Sequence, residues 1–149
     1  MLITGGDLGG PLRLSVIVPF HSNAAQLRLC LAALNLAAQA LPRNLHLADL
    51  IVAADGAVDD PTKVATEAGA RLLVIDGPRG PAVARNRGTT AASGDILVFV
   101  DTDVVVHQDA LSRLGPLFVA QPDLGAAFGA YDEEPVSYTH LTLPTTPYV

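Results

Sequence analysis

Short apolar runs alternate along this chain with longer segments of helical period. Residues 14–19 (LSVIVP) are a β-branched run closed by proline, the pattern of a buried strand. A helix is predicted over 24–40: Ser22 or Asn23 caps it, and Gln26 stands three after Asn23 in capping-box spacing. Its Leu27, Leu31 and Leu34 lie among alanines, so it is apolar nearly all round and is expected to pack on a sheet; Pro42 closes it. Residues 50–54 read as a second strand running into Asp55 and Gly56. A short helix over 61–68 follows, with Pro61 in its first turn and Gly69 at its end. A third strand spans 71–75, then a turn-rich loop at 77–81 and a helix over 82–92 stopped by Gly94. The strongest strand is 95–100, continuously apolar like a central parallel strand. Asp109 is expected to cap a last helix to about residue 120, and 124–130 reads as a fifth strand. This alternation predicts an α/β fold, a Rossmann-like, mainly parallel sheet flanked by helices.

Composition narrows the class. At 149 residues the chain suits one domain, and 50% apolar against 16% charged residues excludes a disordered polymer. A net charge of −6 with pI near 4.9 argues against a general nucleic-acid binder, which presents a clustered basic face. The single Cys30 excludes an internal disulfide framework and fits a reducing compartment. No run approaches the ~18–20 apolar residues of a membrane span. The start MLITGGDLGGPLR lacks the basic and apolar regions of a signal peptide. The expected location is cytoplasmic, with peripheral attachment at the inner membrane face left open.

In an open parallel sheet, ligands sit beyond the carboxyl ends of the strands. There stand Pro19, Phe20 and His21, then Asp55 and Gly56, then Asp101, Thr102 and Asp103. A spacing of two on a strand end puts the Asp101 and Asp103 carboxylates on one side, with Thr102 turned away. Paired carboxylates repel unless a cation lies beside them, and Mg²⁺ or Mn²⁺ takes one or two of them while keeping places for phosphate oxygens. Alone, a D-x-D leaves a solvated turn equally open; following an apolar strand it favours the metal.

Four runs, SVIVP at 15–19, VAADGAVDD at 52–60, ARNRG at 84–88 and FVDTD at 99–103, together resemble family 2 glycosyltransferases, enzymes of the GT-A fold. The resemblance covers about residues 14–134. It implies transfer of a sugar from a nucleotide diphosphate sugar, UDP favoured, to an acceptor that is a saccharide, lipid or protein. It implies that Pro19 and Phe20 line the nucleoside pocket and that Asp55 hydrogen-bonds the base. It further implies that Asp101 faces the ribose or a metal-bound water and Asp103 ligates Mn²⁺ or Mg²⁺. Arg79 and Arg85 lie on the loop and helix that would cover the nucleotide, and Arg85 is a candidate phosphate or base-side contact. Arg79, Arg85 and Arg87 read equally well as solvated helix charges.

The chain departs from the family pattern at Ala54, where a second acid is common, at Ala57, where serine is usual, and at His21–Ser22–Asn23. The catalytic base is expected beyond this chain, so a nucleotide-binding fragment that does not transfer sugar is the main alternative. Asp132, Glu133 and Glu134 read as an exposed acidic turn sooner than as acceptor contacts. His107, His46 and His140 are weak candidates, and Cys30 reads as core. An aspartate-nucleophile phosphohydrolase also places D-x-D after a strand, but its motif ends the first strand and needs a downstream lysine; Lys63 lies upstream. The glycines at 5–10 precede the first strand, against a dinucleotide fold. Residues 1–13 are expected as a loose lead-in. Residues 136–149 hold four of ten threonines and two of three tyrosines, and SYTHLTLPT resembles translated sequencing-adapter read-through, so a non-native tail is expected. Arginine outnumbers lysine eight to one, which points to a GC-rich bacterial genome.

Overall fold

The computed structural model describes residues 10–131 and 139–142. Four strands form a parallel sheet in the order β3-β2-β1-β4: β1 Leu12–Phe20, β2 Leu45–Asp55, β3 Arg71–Ile75 and β4 Ile96–Phe99. Helices α1 (Ala24–Gln39), α2 (Thr62–Glu67) and α3 (Pro81–Ala91) make the crossovers. The expected α/β class holds.

Alternation along β1 explains the layers. Val16, Val18 and Phe20 join Leu27, Leu31 and Leu34 of α1 in the main core. Ile17 points to the opposite face, under α3, where Gly88 meets it so closely that an added Cβ would lie 2.4 Å from Ile17 Cγ2. Ala53, Ile75 and Ala84 fill the rest of that second layer. Each Val, Leu, Ile or Phe side chain fully buried in these layers contributes about 1.5–3 kcal/mol.

Helix α1 starts as read, with the Asn23 side chain accepting the Gln26 N–H at 3.1 Å. A second cap comes from outside: Asp59 Oδ2 accepts the N–H groups of Asn23 at 2.6 Å and Ala24 at 3.2 Å. At the other end of the sheet, Ser15 Oγ donates to Asp49 at 2.5 Å, and the Ser93 N–H and Oγ–H bond the same carboxylate at 2.7 and 2.8 Å. Arg13 grips Asp95 through Nη2 at 2.8 Å and Nε at 3.2 Å.

Several expectations need correction. Strand β2 begins at Leu45 and not at 50, because Leu45, His46 and Leu47 pair with Leu12, Arg13 and Leu14 before a register shift. β4 stops at Phe99, and β5, Val104–Val106, a strand the sequence reading did not anticipate, follows after only residues 100–103. The last helix, α4, starts at Leu114, since Asp109 spends its carboxylate on Arg113 at 2.7 Å instead of capping. Residues 124–129 form no strand; only β6, Ala130–Tyr131, is extended, and it pairs with β7, Thr139–Thr142. Gly125 and Gly129 interrupt the run, and no neighbouring strand pairs with it among the described residues. β7 also pairs with β5. It is the described part of residues 136–149.

Candidate nucleotide and cation site

The carboxyl ends of β1, β2 and β4 surround a cavity of about 420 Å³. Pro19, Phe20, His21 and Ser22 come from β1 and its loop, Asp55 from β2, and Asp101 and Thr102 from the turn after β4. Pro78, Gly80, Pro81 and Ala84 close it from the loop and first turn of α3. Five of the expected site residues thus fall on or beside one crevice: Pro19, Phe20, Asp55, Asp101 and, next to Asp101, Arg85.

Hydrogen bonds fix the loops to one another. Asp55 is 4% exposed, and its carboxylate is committed to the 77–80 loop. Oδ2 accepts the backbone N–H groups of Arg79 at 2.8 Å and Gly80 at 2.6 Å, while Oδ1 lies 3.0 Å from Arg79 N. Gly77 leaves the space this needs, since a Cβ there would meet Asp55 Oδ1 at 2.4 Å. The Asp55 carbonyl accepts His21 Nδ1–H at 2.9 Å, and the His21 carbonyl accepts the Val58 N–H at 2.8 Å. A carbonyl only accepts, so His21 carries its proton on Nδ1.

The D-x-D segment is a turn and not a strand end, because Val104 N–H donates to the Asp101 carbonyl at 3.0 Å. The expected division of side chains nevertheless appears. Thr102 is half-buried and donates Oγ1–H to the Pro19 carbonyl at 2.6 Å, and both aspartates are exposed. Asp101 pairs with Arg85 Nη2 at 2.5 Å, whereas Asp103 accepts no hydrogen bond among the described residues. Beneath the turn, burial, Asp103 and Asp101 together push the Cys30 thiol up to about 12. Its Sγ–H points at the Asp101 carbonyl at 3.7 Å. At neutral pH such a thiol stays protonated, which fits a core residue and not a nucleophile.

Other candidates lie elsewhere. The Arg79 guanidinium turns to the Asp76 carbonyl, 2.9 Å from Nε, and only its backbone faces Asp55. Arg87 is exposed on α3. His46 sits in β2 at the opposite end of the sheet, His107 just after β5, and His140 in β7. Asp132, Glu133 and Glu134 lie outside the described residues. A larger cleft, about 560 Å³, opens behind the same loop between Asp59, Pro61, Val74 and Asp76. Its Asp59 and Asp60 already cap α1 and α2. Pattern reading placed His21 and Thr102 at the strand ends and Asp59 in the second motif without assigning them contacts, and it did not single out Pro78. The partners of the first three are 34 to 83 residues away in sequence, so no local signal marks the contacts.

No group of three or more His, Cys, Asp or Glu suited to a metal occurs among the described residues. What Asp101 and Asp103 offer is a pair of exposed hard oxygen donors, the first of them on the cavity wall. That set suits a small divalent cation which keeps most of its shell as water or phosphate oxygen.

Residues 15–148 match the family model for glycosyl transferase family 2. Glycosyltransferase AglE of Haloferax volcanii is 31% identical over 104 residues, covering 66% of this chain and 33% of that protein. A TPR repeat-containing protein of Synechococcus elongatus is 36% identical over 95 residues, 60% of this chain and 23% of its own. Among solved structures, glucosyl-3-phosphoglycerate synthase from Mycobacterium tuberculosis with Mn²⁺, UDP and glucosyl-3-phosphoglycerate superposes with TM-score 0.56 at 27% identity. That match covers 71% of this chain and 39% of the other. The same enzyme with Mn²⁺, UDP-glucose and phosphoglyceric acid gives 0.57 at 26% identity, over 74% and 40%. The chain therefore spans between 23% and 40% of the length of these relatives.

Proposed function

The chain belongs to glycosyl transferase family 2, and we propose that it forms the donor-binding part of an enzyme moving a sugar from a nucleotide diphosphate to an acceptor, with a UDP-sugar favoured. One observation carries the reading: the cavity at the strand ends has Asp101 and Thr102 on its wall, and the next residue, Asp103, is exposed and accepts no hydrogen bond among the described residues. That the M. tuberculosis synthase was crystallised with UDP and with Mn²⁺ or Mg²⁺ supports the choice of ligand.

Asp103 and Asp101 would hold Mn²⁺ or Mg²⁺, whose charge offsets that of a diphosphate leaving group. The remaining roles belong to the chain's own groups. Pro19 and Phe20 floor the nucleoside pocket; Phe20 is only 2% exposed, so it supports the wall and does not stack as a free ring. Asp55 serves the base through the loop it holds, in place of the direct contact the resemblance implies. Activation of the acceptor hydroxyl is assigned to a base outside the described residues. The lone buried cysteine supports a cytoplasmic location. Among the described residues no helix is long and apolar enough to cross a membrane.

Calorimetric titration with UDP and with GDP, each with and without Mn²⁺, tests the reading. Metal-dependent binding of UDP, lost in a folded Asp103→Ala variant, is the expected result. An unchanged affinity in that variant removes Asp103 from the metal site. The share of AglE covered, 33%, favours a second reading in which this chain alone binds donor without transferring it. Binding without turnover against simple acceptors would select that reading.

A further inference from the structure

Asp101, which borders the cavity, already has a cationic partner within the chain. Its Oδ1 holds Arg85 Nη2 at 2.5 Å, with 54% of the Asp101 side chain and 35% of that of Arg85 exposed. Asp103, two residues on, has no cationic partner among the described residues. The rest of the cavity wall is uncharged or, at Asp55, spent on backbone N–H groups. Arg85 is therefore the only cation paired at this crevice among the described residues, and it occupies one of the two carboxylates a metal would need.

We infer that Arg85 and the divalent metal exchange places on Asp101: the guanidinium holds Asp101 while the crevice is empty and is released to the donor's phosphates when metal and nucleotide enter together. The inference rests on the reading above. Its energetics are suited to a switch. A half-exposed ion pair is screened by solvent and contributes little, so a metal–diphosphate complex displaces it easily. A guanidinium freed beside a diphosphate gains charge-assisted, two-pronged hydrogen bonds, which are stronger than neutral ones. Metal alone gains no such compensation and must overcome a neighbouring positive charge. Arg85 thus acts as a positioning residue that favours joint entry of metal and nucleotide over metal alone.

The test compares wild type, Arg85→Gln and Arg85→Lys. Free Mn²⁺ is followed by electron paramagnetic resonance in the absence of nucleotide, and UDP affinity is measured calorimetrically with and without Mn²⁺. Arg85→Gln is expected to bind Mn²⁺ alone about three- to tenfold more tightly than wild type. Its UDP affinity in saturating Mn²⁺ is expected to fall about tenfold. Arg85→Lys, which keeps the charge but not the fork, is expected to restore the weak Mn²⁺ binding while recovering UDP affinity only in part. Equal or weaker Mn²⁺ binding by Arg85→Gln overturns the exchange, as does undetectable binding by that variant. Failure of UDP to bind wild type at any Mn²⁺ concentration overturns the nucleotide reading instead, and with it the phosphate half of the exchange. The Mn²⁺ comparison is read independently of that result.

Discussion

The Gly80 backbone N–H donates to Asp55 Oδ2 at 2.6 Å, tying the end of β2 to the entrance of α3. With the Arg79 N–H on the same carboxylate, Asp55 becomes the anchor of the loop that walls the cavity. Replacing it by alanine strands two backbone donors in a part-buried place, each costing about 1–3 kcal/mol. Asp55→Ala is expected to lose about 2–4 kcal/mol in urea unfolding and to weaken UDP more than pyrophosphate. Equal losses for the two ligands would show that the loop does not shape the base pocket. Gly77→Ala, which drives a Cβ into Asp55 Oδ1, should reproduce the stability defect without removing any charge.

Thr102 pins the D-x-D turn to β1 through the Pro19 carbonyl. Thr102→Val keeps the shape and removes the donor. An expected cost of about 1 kcal/mol follows from one lost hydrogen bond. Mn²⁺ affinity should fall with it, because the aspartates on either side lose their fixed turn. A stability loss with unaltered metal binding would mean that the turn holds its geometry without Thr102.

Asp59 caps α1 from the loop after β2. Asp59→Ala should destabilise by about 1 kcal/mol, the usual worth of an N-cap. Helicity should drop little, since Asn23 still holds the Gln26 N–H. An unchanged urea midpoint would assign Asp59 no capping role.

Acid sensitivity follows from the opposite end of the sheet. Hydrogen bonding by Arg13 holds the Asp95 carboxyl below the ordinary range. For Asp49, burial alone would push the carboxyl up, but hydrogen bonds from Ser15 and Ser93, aided by Arg71, bring it below the ordinary value. A carboxyl depressed in the folded state contributes stability above its unfolded pKa and loses that contribution as pH falls through the folded one. Stability should therefore decline below about pH 4, the ordinary aspartate range. Asp95→Asn should lower the urea midpoint at pH 6 and flatten its fall towards pH 3. A parallel fall in wild type and variant would rule Asp95 out as a source.

Much of this was legible before any coordinates, where local chemistry decides. β1, α1 and β3 follow their apolar patterns, α3 falls between the Gly–Pro loop before it and Gly94 after it, and Asn23 caps as its spacing promised. The gathering of Pro19, Asp55 and Asp101 follows from strand ends in a parallel sheet. Family membership follows from the same four runs that carry the resemblance. Illegible features are those fixed by distant partners. The Leu124 to Ala130 run has strand-like residues, but a strand exists only if a neighbour pairs with it. Asp109 has cap chemistry, yet Arg113 one turn on takes its carboxylate. The Arg85–Asp101 pair depends on how α3 lies over β1 and β2, and nothing in either segment's composition announces it.

Gly88 gives that last relationship its scale. With no side chain between them, α3 rests directly on Ile17, and Arg85 sits less than one turn earlier on the same helix. The helix acts as a lever whose fulcrum is a missing methyl group. A Cβ at position 88 would force Ile17 or α3 itself to shift, in the helix that carries Arg85. The reach of the crevice's charged group is therefore gauged by an atom the chain does not have, at a position that touches no ligand.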